Sequence, residues 1–311
     1  MIVADPQQYI GRFAPSPTGP LHFGSLIAAL ASHADAKAAG GRWLLRIEDI
    51  DPPREQPGAA AEIVRTLERY GFEWDGPILL QSTREGAYFA ALEQLRVEGK
   101  VFPCGCTRLE LAAAPLGVGG ERVYPGTCRD GLPPGRRPRS WRLKVGVAAG
   151  DDRPIAFTDR IQGPQSQWLA RDVGDFVVRR ADRRFAYQLA VVVDDADQRI
   201  TDVVRGADLL ASTPRQIWLQ RQLGLPTPRY AHVPVVVNAR GEKLSKQTRA
   251  EALPATRPER ALLDAWEFLD QQAPDTPLGT PREFWSWAIP RWNPRRIPPV
   301  PMLPSRRSGP A

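Results

Sequence analysis

A loop rich in proline and glycine, between a short predicted strand and a predicted helix, constrains the fold of this chain more than any other stretch. It spans residues 12–25 and reads RFAPSPTGPLHFGS. Its prolines cannot lie in the interior of a helix or a sheet, whereas residues 26–39 read as a helix that two glycines stop. Backbone amides and the helix dipole at such a junction favour an anion. The loop therefore predicts a phosphate site, with His22 as a hydrogen-bond donor and Gly24 giving the ligand access to the backbone.

A second motif is Lys243-Leu244-Ser245-Lys246-Gln247, which follows a predicted strand at residues 232–237 and lies on a predicted exposed loop. Two ammonium groups there can stabilise the charge that grows on a leaving pyrophosphate. Each motif also has an ordinary interpretation, since proline-rich surface loops and solvated lysines are common. In this order the two motifs resemble the signature sequences of the class I aminoacyl-tRNA synthetases, and residues 12–19 resemble the glutamyl branch. The chain departs from those signatures at Ser25 and Gln247, where histidine and serine are usual.

Predicted strands and helices alternate over the first hundred residues, which is typical of a parallel sheet. Residues 43–49 and 78–81 are predicted strands, and residues 59–70 and 85–98 are predicted amphipathic helices. The alternation stops near Cys104 and returns after residue 186. We therefore predict an α/β fold, a Rossmann-like, doubly wound parallel sheet with an inserted subdomain. The predicted divisions are the first half of a catalytic domain at 9–103, the insertion at 104–185, the second half at 186–252, and a short helical and proline-rich basic region at 253–311.

Three cysteines and a tyrosine in the predicted insertion form a second candidate site. Cys104, Cys106 and Cys128 lie within 25 residues of chain, and thiolates suit a tetrahedral zinc ion. The spacing alone fits scattered buried thiols equally well, because it is not a Cys-x-x-Cys repeat and no histidine lies nearby. Glutamyl-type synthetases often carry a zinc knuckle at this place. The resemblance therefore implies one Zn²⁺ per chain, held by these cysteines and by Tyr124.

Ligands of a parallel sheet bind beyond the carboxyl ends of its strands, where Arg12 and Glu48 both fall. Because a guanidinium fits a carboxylate through two hydrogen bonds, Arg12 is a candidate for the side-chain carboxylate of a substrate. Glu48 suits an α-ammonium group and Ser16 an α-carboxylate. Each has an ordinary alternative: a phosphate contact for Arg12, a surface ion pair for Glu48, and core packing for Tyr187, which enters through the resemblance.

The resemblance implies L-glutamate as the amino acid and ATP with Mg²⁺ as the nucleotide. The residues that it implies for glutamate are Arg12, Ala14, Ser16, Glu48, Tyr187 and Arg205. The residues that it implies for ATP are His22, Gly24, Ser25, Lys243 and Lys246, with His22, Lys243 and Lys246 as catalytic residues.

Composition indicates which partners and which cell compartment to expect. A net charge of +7 favours a polyanionic partner. No apolar run approaches the roughly 20 residues that span a bilayer, and the first residues lack the pattern of a signal peptide. Three cysteines cannot all pair, which argues against a secreted disulfide scaffold. We therefore expect a cytoplasmic monomer without membrane contact. Beyond Ala252 we expect one helix, at residues 259–271, and an extended or disordered basic tail at residues 291–311.

The resemblance covers residues 9–250 and leaves about 60 residues, too few for an anticodon-binding domain. That truncation, with the Cys-x-Cys insertion, resembles the glutamyl-queuosine tRNA(Asp) synthetases. The implied reaction is activation of L-glutamate by ATP without tRNA, followed by transfer to the queuosine at the wobble position of tRNA(Asp). Basic residues at 136–142 would then hold RNA phosphates. Two alternatives remain open, a shortened glutamyl-tRNA synthetase that charges the 3′ end of tRNA(Glu) and a catalytically inactive RNA-binding paralogue.

Overall fold

The computed structural model describes residues 8–117, 120, 122–146, 153–238 and 251–304. The first elements are β1 (Ile10–Phe13), α1 (Phe23–Ala38), β2 (Arg42–Ile47), α2 (Ala59–Arg69), β3 (Leu79–Leu80) and α3 (Glu85–Val97). The three strands are parallel, in the order β1-β2-β3, with Ile10 opposite Arg42 and Arg46 opposite Leu79. From Trp43 onward β2 is buried, as an apolar strand inside a parallel sheet must be. The predicted parallel sheet and its alternating helices are confirmed.

Helix α1 begins at Phe23, earlier than the predicted Leu26, because His22 caps it. The backbone N–H of Ser25 donates to Nδ1 of His22 over 3.3 Å, and the backbone N–H of His22 donates to Oγ of Ser25 over 3.1 Å. This reciprocal pair satisfies amides that a helix start leaves without a partner. The alanine-rich helix is buried along most of its length, so small side chains allow its neighbours to approach closely.

Antiparallel pairing follows the first part of the chain. The elements are β4 (Val101–Cys104), α4 (Arg108–Leu111), β5 (Ser140–Leu143), β6 (Ile155–Asp159), β7 (Gly163–Gln167), α5 (Leu169–Asp172) and β8 (Phe176–Arg179). β5 pairs with both β4 and β8, and β6 pairs with β7 as a hairpin. The loss of helix and strand alternation after Cys104 thus corresponds to a change from parallel to antiparallel pairing.

Parallel pairing returns with α6 (Tyr187–Asp197), β9 (Asp202–Gly206), α7 (Thr213–Leu223), β10 (Arg229–Val233) and β11 (Val235–Val237). β9 pairs with β10, and the backbone N–H of Thr201 donates to the carbonyl of Ile10 over 2.9 Å, which sets β9 beside β1. The prediction of one strand at residues 232–237 is wrong. Pro234 has no N–H to donate and separates β10 from β11.

The C-terminal region contains α8 (Pro258–Phe268), α9 (Pro281–Ala288) and β12 (Met302–Pro304). The prediction of a single helix here is therefore wrong. Of the two states expected for the tail, extended or disordered, residues 291–304 are ordered and include an extended strand. The indole N–H of Trp292 donates to Asp35 of α1 over 2.9 Å, Ile297 is buried, and β12 pairs in parallel with β11. Large apolar side chains, together with this strand pairing, hold the proline-rich segment on the protein. Residues 305–311 lie outside the described part of the chain.

His33 of α1 is a core residue. Its ring lies edge-on to the rings of Trp43, Phe72 and Trp285, with centroids 4.3 to 5.3 Å away. Burial lowers its pKa to about 3, so the imidazole is neutral. Within the described ranges, no helix has both the length and the apolar composition that crossing a bilayer requires.

Candidate active site

A cavity of about 520 Å³ opens where β1, β2, β9 and β10 end. This is the edge at which a parallel sheet binds its ligands. The predicted glutamate and ATP residues that line it are Arg12, Ala14, Ser16, His22, Gly24, Ser25, Glu48, Tyr187 and Arg205. They come from three distant parts of the sequence. The cavity therefore brings together every predicted substrate residue that the structure describes, whereas Lys243 and Lys246 lie outside the described residues.

One side of the cavity is built by the capped start of α1. Because Nδ1 of His22 accepts the Ser25 amide, a neutral His22 carries its proton on Nε2. The chain returns from the lysine motif next to this side, where Leu253 N–H donates to the Leu21 carbonyl over 2.9 Å and Ala252 pairs with His22. Val235 and Val236, which precede the motif, line the cavity as well. The described residues on both sides of the lysine motif thus lie beside the predicted phosphate site.

Buried charges hold the opposite side of the cavity in place. Asp195 of α6 accepts from Nε of Arg12 over 3.2 Å and from Nη2 of Arg46 over 2.7 Å, through the same oxygen. Burial opposes ionisation of Asp195, but Arg12 and Arg46 outweigh it and lower the pKa of this carboxyl. The Arg12 guanidinium is therefore held at the cavity by an ionised partner below it.

Glu48 directly follows β2 and is the buried carboxylate of the cavity wall. Burial raises its pKa to about 7, and the nearby Arg46 and Arg12 offset burial only in part. Oε1 of Glu48 lies 3.5 Å from Nη2 of Arg46. A ligand ammonium group would stabilise the charged form of the Glu48 carboxylate, which burial disfavours.

Arg205 of β9 and Tyr187 of α6 meet across the cavity, with 3.5 Å between Nη1 and the phenol oxygen. Nη2 of Arg205 donates to Oγ1 of Thr213 over 2.9 Å, and its Nε donates to Nε2 of His232 over 3.0 Å. Burial raises the pKa of Tyr187, which keeps the phenol protonated as a hydrogen-bond donor. The cavity thus presents two buried guanidinium groups and the hydroxyl of the partly buried Tyr187 near one carboxylate.

Asp195, Arg46 and His232 are the residues of this site that sequence reasoning missed. A usable signal was present for two of them. Arg46 interrupts the apolar strand WLLRI, and Asp195 lies directly after the apolar run LAVVV and the neighbouring Asp194. A charged residue in an otherwise buried run is expected to have a partner, because an unpaired buried charge is costly.

The three cysteines and Tyr124 also meet in space. The three sulfur atoms lie within 4.8 Å of one another, and Sγ of Cys106 is 3.7 Å from Sγ of Cys128. The Tyr124 oxygen lies 3.4 Å from Sγ of Cys104 and 3.8 Å from Sγ of Cys106. Donors about 2.3 Å from a tetrahedral zinc ion are separated by about 3.8 Å, so this set fits the ion in type and spacing.

The surroundings of this cluster favour the thiolate at Cys104, whereas burial raises the pKa of the Cys106 thiol. Burial disfavours the charged form of Cys104, but hydrogen bonds from Tyr124, Cys106 and Arg142 outweigh it and lower the pKa of this thiol to about 7. The guanidinium of Arg142 lies 3.9 Å from the centre of the Tyr124 ring. Gly174 has φ of +70°, and a Cβ there would lie 2.8 Å from the Tyr124 backbone nitrogen, so glycine allows this close approach.

The arginines predicted to hold RNA phosphates differ in their availability. Arg142 is buried beneath Tyr124, and Arg136 is paired with Glu110 of α4. Arg137 and Arg139 are exposed. The segment therefore offers two exposed guanidinium groups rather than a continuous basic run, because β5 carries Arg142 inward.

A parallel sheet with a capped loop and a cavity at its strand ends is typical of one class of protein. Comparison with known families identifies that class. Residues 10–258 match the family described as tRNA synthetases class I (E and Q), catalytic domain. The chain belongs to this family. The fold agrees, since the glutamate-tRNA synthetase of Elizabethkingia anophelis superposes with a TM-score of 0.77 at 26% identity, over 94% of this chain and 67% of that one.

Within the family, the chain is similar to proteins named glutamyl-Q tRNA(Asp) synthetase. That of Aromatoleum aromaticum is 59% identical over 92% of this chain and 89% of its own length. That of Thiobacillus denitrificans is 55% identical over 96% of this chain and 98% of its own length. Similarity thus extends beyond the catalytic motifs into the region after residue 258.

Proposed function

We propose that the protein is an ATP-dependent ligase that activates L-glutamate and transfers it to the queuosine of tRNA(Asp). The observation that carries the proposal is the single cavity that joins Arg12, Glu48 and Arg205 to the capped loop at His22. The names of the relatives at 54–59% identity supply the acceptor. The reaction needs tRNA and ATP, so we expect the enzyme to act in the cytoplasm, and we keep the expectation of a monomer as part of the proposal.

The charges of the cavity suit glutamate. The amino acid has two carboxylates and one ammonium group, and the buried wall offers Arg12, Arg205 and Glu48. We assign the side-chain carboxylate to Arg12, the α-ammonium group to Glu48 and the α-carboxylate to the neighbourhood of Ser16, with Tyr187 and Arg205 completing the pocket. Glutamine would leave guanidinium donors without an acceptor, at a cost of about 1–3 kcal/mol for each buried donor.

Activation requires an oxygen of the glutamate α-carboxylate to attack the α-phosphorus of ATP. The bond from that phosphorus to the bridging oxygen breaks, and pyrophosphate leaves with Mg²⁺. We assign His22 Nε2–H and the amides around Gly24 and Ser25 to the phosphates, since a helix start favours anions. Lys243 and Lys246 are assigned to the leaving pyrophosphate. Positioning and charge stabilisation supply the catalysis.

Transfer completes the reaction. A hydroxyl of the cyclopentenediol ring of queuosine attacks the carbonyl carbon of glutamyl-adenylate, an ester forms, and AMP leaves. We assign no side chain as the base, and the departing phosphate of AMP can take the proton. We propose that Zn²⁺ bound by Cys104, Cys106, Cys128 and Tyr124 shapes the surface next to the exposed Arg137 and Arg139, which would contact the RNA.

Glutamate-dependent exchange of pyrophosphate into ATP, with and without tRNA, tests the activation step. Labelled glutamate is then offered with three RNAs, tRNA(Asp) bearing queuosine, the same tRNA with guanine at that position, and tRNA(Glu). We expect exchange without tRNA and labelling of the first RNA alone. Periodate oxidation of the diol should abolish labelling, and removal of the 3′ adenosine should leave it intact.

The two alternatives give different results in the same assays. A shortened glutamyl-tRNA synthetase would label tRNA(Glu) and would lose that labelling with the 3′ adenosine. An inactive RNA-binding paralogue would give no exchange under any condition. Either result would overturn the proposal.

A further inference from the structure

We propose that Asp159 and His232 are positioning residues of the glutamate pocket, which set the donor pattern of Arg205 by fixing the tautomer of His232. The inference rests on the proposed function for what the pocket binds, but the arrangement of the three side chains stands without it.

The three residues form one buried chain of hydrogen bonds. Nδ1 of His232 lies 2.6 Å from Oδ2 of Asp159, and Nε2 of His232 lies 3.0 Å from Nε of Arg205. Asp159 and His232 are almost completely inaccessible to solvent, with exposed fractions of 1% and 0%. This series of hydrogen bonds ends at Arg205, whose Nη1 contacts the phenol oxygen of Tyr187 at the cavity.

The chemistry at each end specifies the proton on the imidazole. A guanidinium has no acceptor, so Nε2 of His232 must accept from Arg205. Nδ1 therefore carries the proton and donates it to Asp159. The other groups around the ring agree with a neutral imidazole, because burial, Arg205 and Arg12 disfavour its charge more than Asp159 favours it. The pKa of His232 is lowered to about 4. Tyr230 stacks on the ring, and Thr213 places its hydroxyl 3.3 Å from Nε2.

The orientation of Asp159 is itself fixed. Its Oδ1 accepts three backbone N–H groups, from Ile161 at 3.0 Å, Gln162 at 2.9 Å and His232 at 3.1 Å. Only Oδ2 is directed to the imidazole. The antiparallel hairpin β6–β7, on which Asp159 lies, thereby supports a pocket that is otherwise built by the parallel sheet.

This arrangement makes Asp159→Asn a sharp test, since the substitution keeps the size of the side chain. The three amides would hold the asparagine oxygen in the place of Oδ1, so its NH₂ group would face Nδ1 of His232. Nδ1 would then have to accept, and the proton would move to Nε2, where it would oppose the N–H of Arg205. An imidazole in the wrong tautomer disables a site without disturbing its fold.

The first readout is the tautomer, measured from the ¹⁵N signals of the imidazoles. The chain has three histidines, so His232→Gln identifies the signals of His232. We expect a protonated Nδ1 in the wild type and a protonated Nε2 in Asp159→Asn. An unchanged tautomer in Asp159→Asn would overturn the proposal, and this readout does not depend on glutamate being the substrate.

The second readout is pyrophosphate exchange. Asp159→Asn should raise the KM for glutamate by about tenfold and change kcat by less than about threefold, because the lost interaction is with bound substrate rather than with the reacting atoms. Asp172→Asn is the matched control, a buried carboxylate that accepts a backbone amide, from Trp168, but does not line the cavity. It should leave KM unchanged.

Rescue separates positioning from a loss of packing. In His232→Gln, the side-chain oxygen can accept from Nε of Arg205 whatever residue 159 offers. Adding Asp159→Asn to His232→Gln should therefore leave KM where His232→Gln alone puts it. Losses that add in the double variant would mean that both residues act only through stability. A wild type that activates no amino acid would refute the proposed function and leave the tautomer result to decide this one.

Discussion

Asp195 lies 3.2 Å from Nε of Arg12, across the boundary between two parts of the chain that are far apart in sequence. The same carboxylate oxygen is 2.7 Å from Nη2 of Arg46. One acid from α6 thus holds two arginines from β1 and β2, and the arginine that we assign to substrate is oriented before any substrate arrives. Such preorganisation lowers the cost of binding, because the guanidinium loses little freedom when the ligand enters.

Substitution of Arg12 should remove amino acid activation. Arg12→Ala takes away the proposed partner of the substrate carboxylate, so glutamate-dependent exchange should fall by at least about a hundredfold, or about 2.7 kcal/mol. The wild type should use glutamine far less well than glutamate. Arg65→Ala, at an exposed arginine of α2, is the control and should have no effect. An Arg12→Ala enzyme near wild-type activity would refute the assignment.

Substitution of Asp195 should affect stability as well as binding. Asp195→Asn removes the anion that the two buried guanidinium groups share and leaves Arg46 only the more distant Glu48. Breaking a buried pair in this way costs about 3–5 kcal/mol. Denaturant unfolding should report that loss, together with a higher KM for glutamate. The exposed pair of Glu93 and Arg96 on α3 supplies the comparison, because Glu93→Gln removes a solvated partner and should change little.

The pH dependence of glutamate binding should follow Glu48. Its pKa is raised to about 7, so the carboxylate is charged above that pH and becomes protonated below it. An ammonium group binds the charged form. The KM for glutamate should therefore rise by about tenfold for each pH unit below 7 and stay level above it. Glu48→Gln should give a high KM without this dependence, measured by exchange between pH 5.5 and 8.5. A pH profile that Glu48→Gln leaves in place would assign the dependence to another group.

The cysteine cluster should contain zinc. Purified protein should hold close to one zinc ion per chain, and Cys128→Ser should lower that content and destabilise the antiparallel sheet, with the parallel sheet intact. Elemental analysis and far-UV circular dichroism measure the two effects. Tyr70→Phe, which changes a tyrosine of the main core, should keep its zinc. Zinc-free protein after careful handling would contradict the metal site, whereas full zinc binding by Tyr124→Phe would contradict only the fourth ligand.

The C-terminal segment should contribute to stability. Trp292 packs beside Trp266, and its indole N–H donates to the buried Asp35. Trp292→Phe therefore removes this hydrogen bond and replaces the indole by a smaller ring. We expect a loss of about 1–3 kcal/mol in the free energy of unfolding. Trp168→Phe, at a partly exposed tryptophan, is the control. Equal unfolding midpoints for the two variants would mean that the segment does not support the core.

Local rules predicted much of the parallel sheet. The helices at 59–69 and 85–97 were placed within one residue, because glycine stops and apolar periodicity are encoded locally. Residues 232–237 form parts of two strands rather than one, because Pro234 has no N–H to continue the pairing. Composition does not distinguish an ordered extended segment from a disordered one at residues 291–304, because a proline-rich basic segment can be ordered by a few large side chains that contact remote residues.

The motifs also predicted which residues gather at the cavity, but not what holds them there. Asp195, Arg46 and Asp159 act through contacts with residues that are remote in sequence, and no spacing rule connects residue 159 with residue 232. Arg142 shows the converse, since this basic residue of an arginine-rich segment is buried in β5, where its guanidinium lies over the Tyr124 ring.

The pairing of β11 with β12 bears on how the protein is made. Val235 and Val236 form part of the cavity wall, and their strand neighbour at residues 302–304 leaves the ribosome much later. During translation β11 lacks this pairing partner until β12 has been synthesised, whereas β1, β2 and β9 can already associate. A nascent chain therefore completes this part of the cavity wall only after residues 302–304 have been synthesised, long after β11 itself.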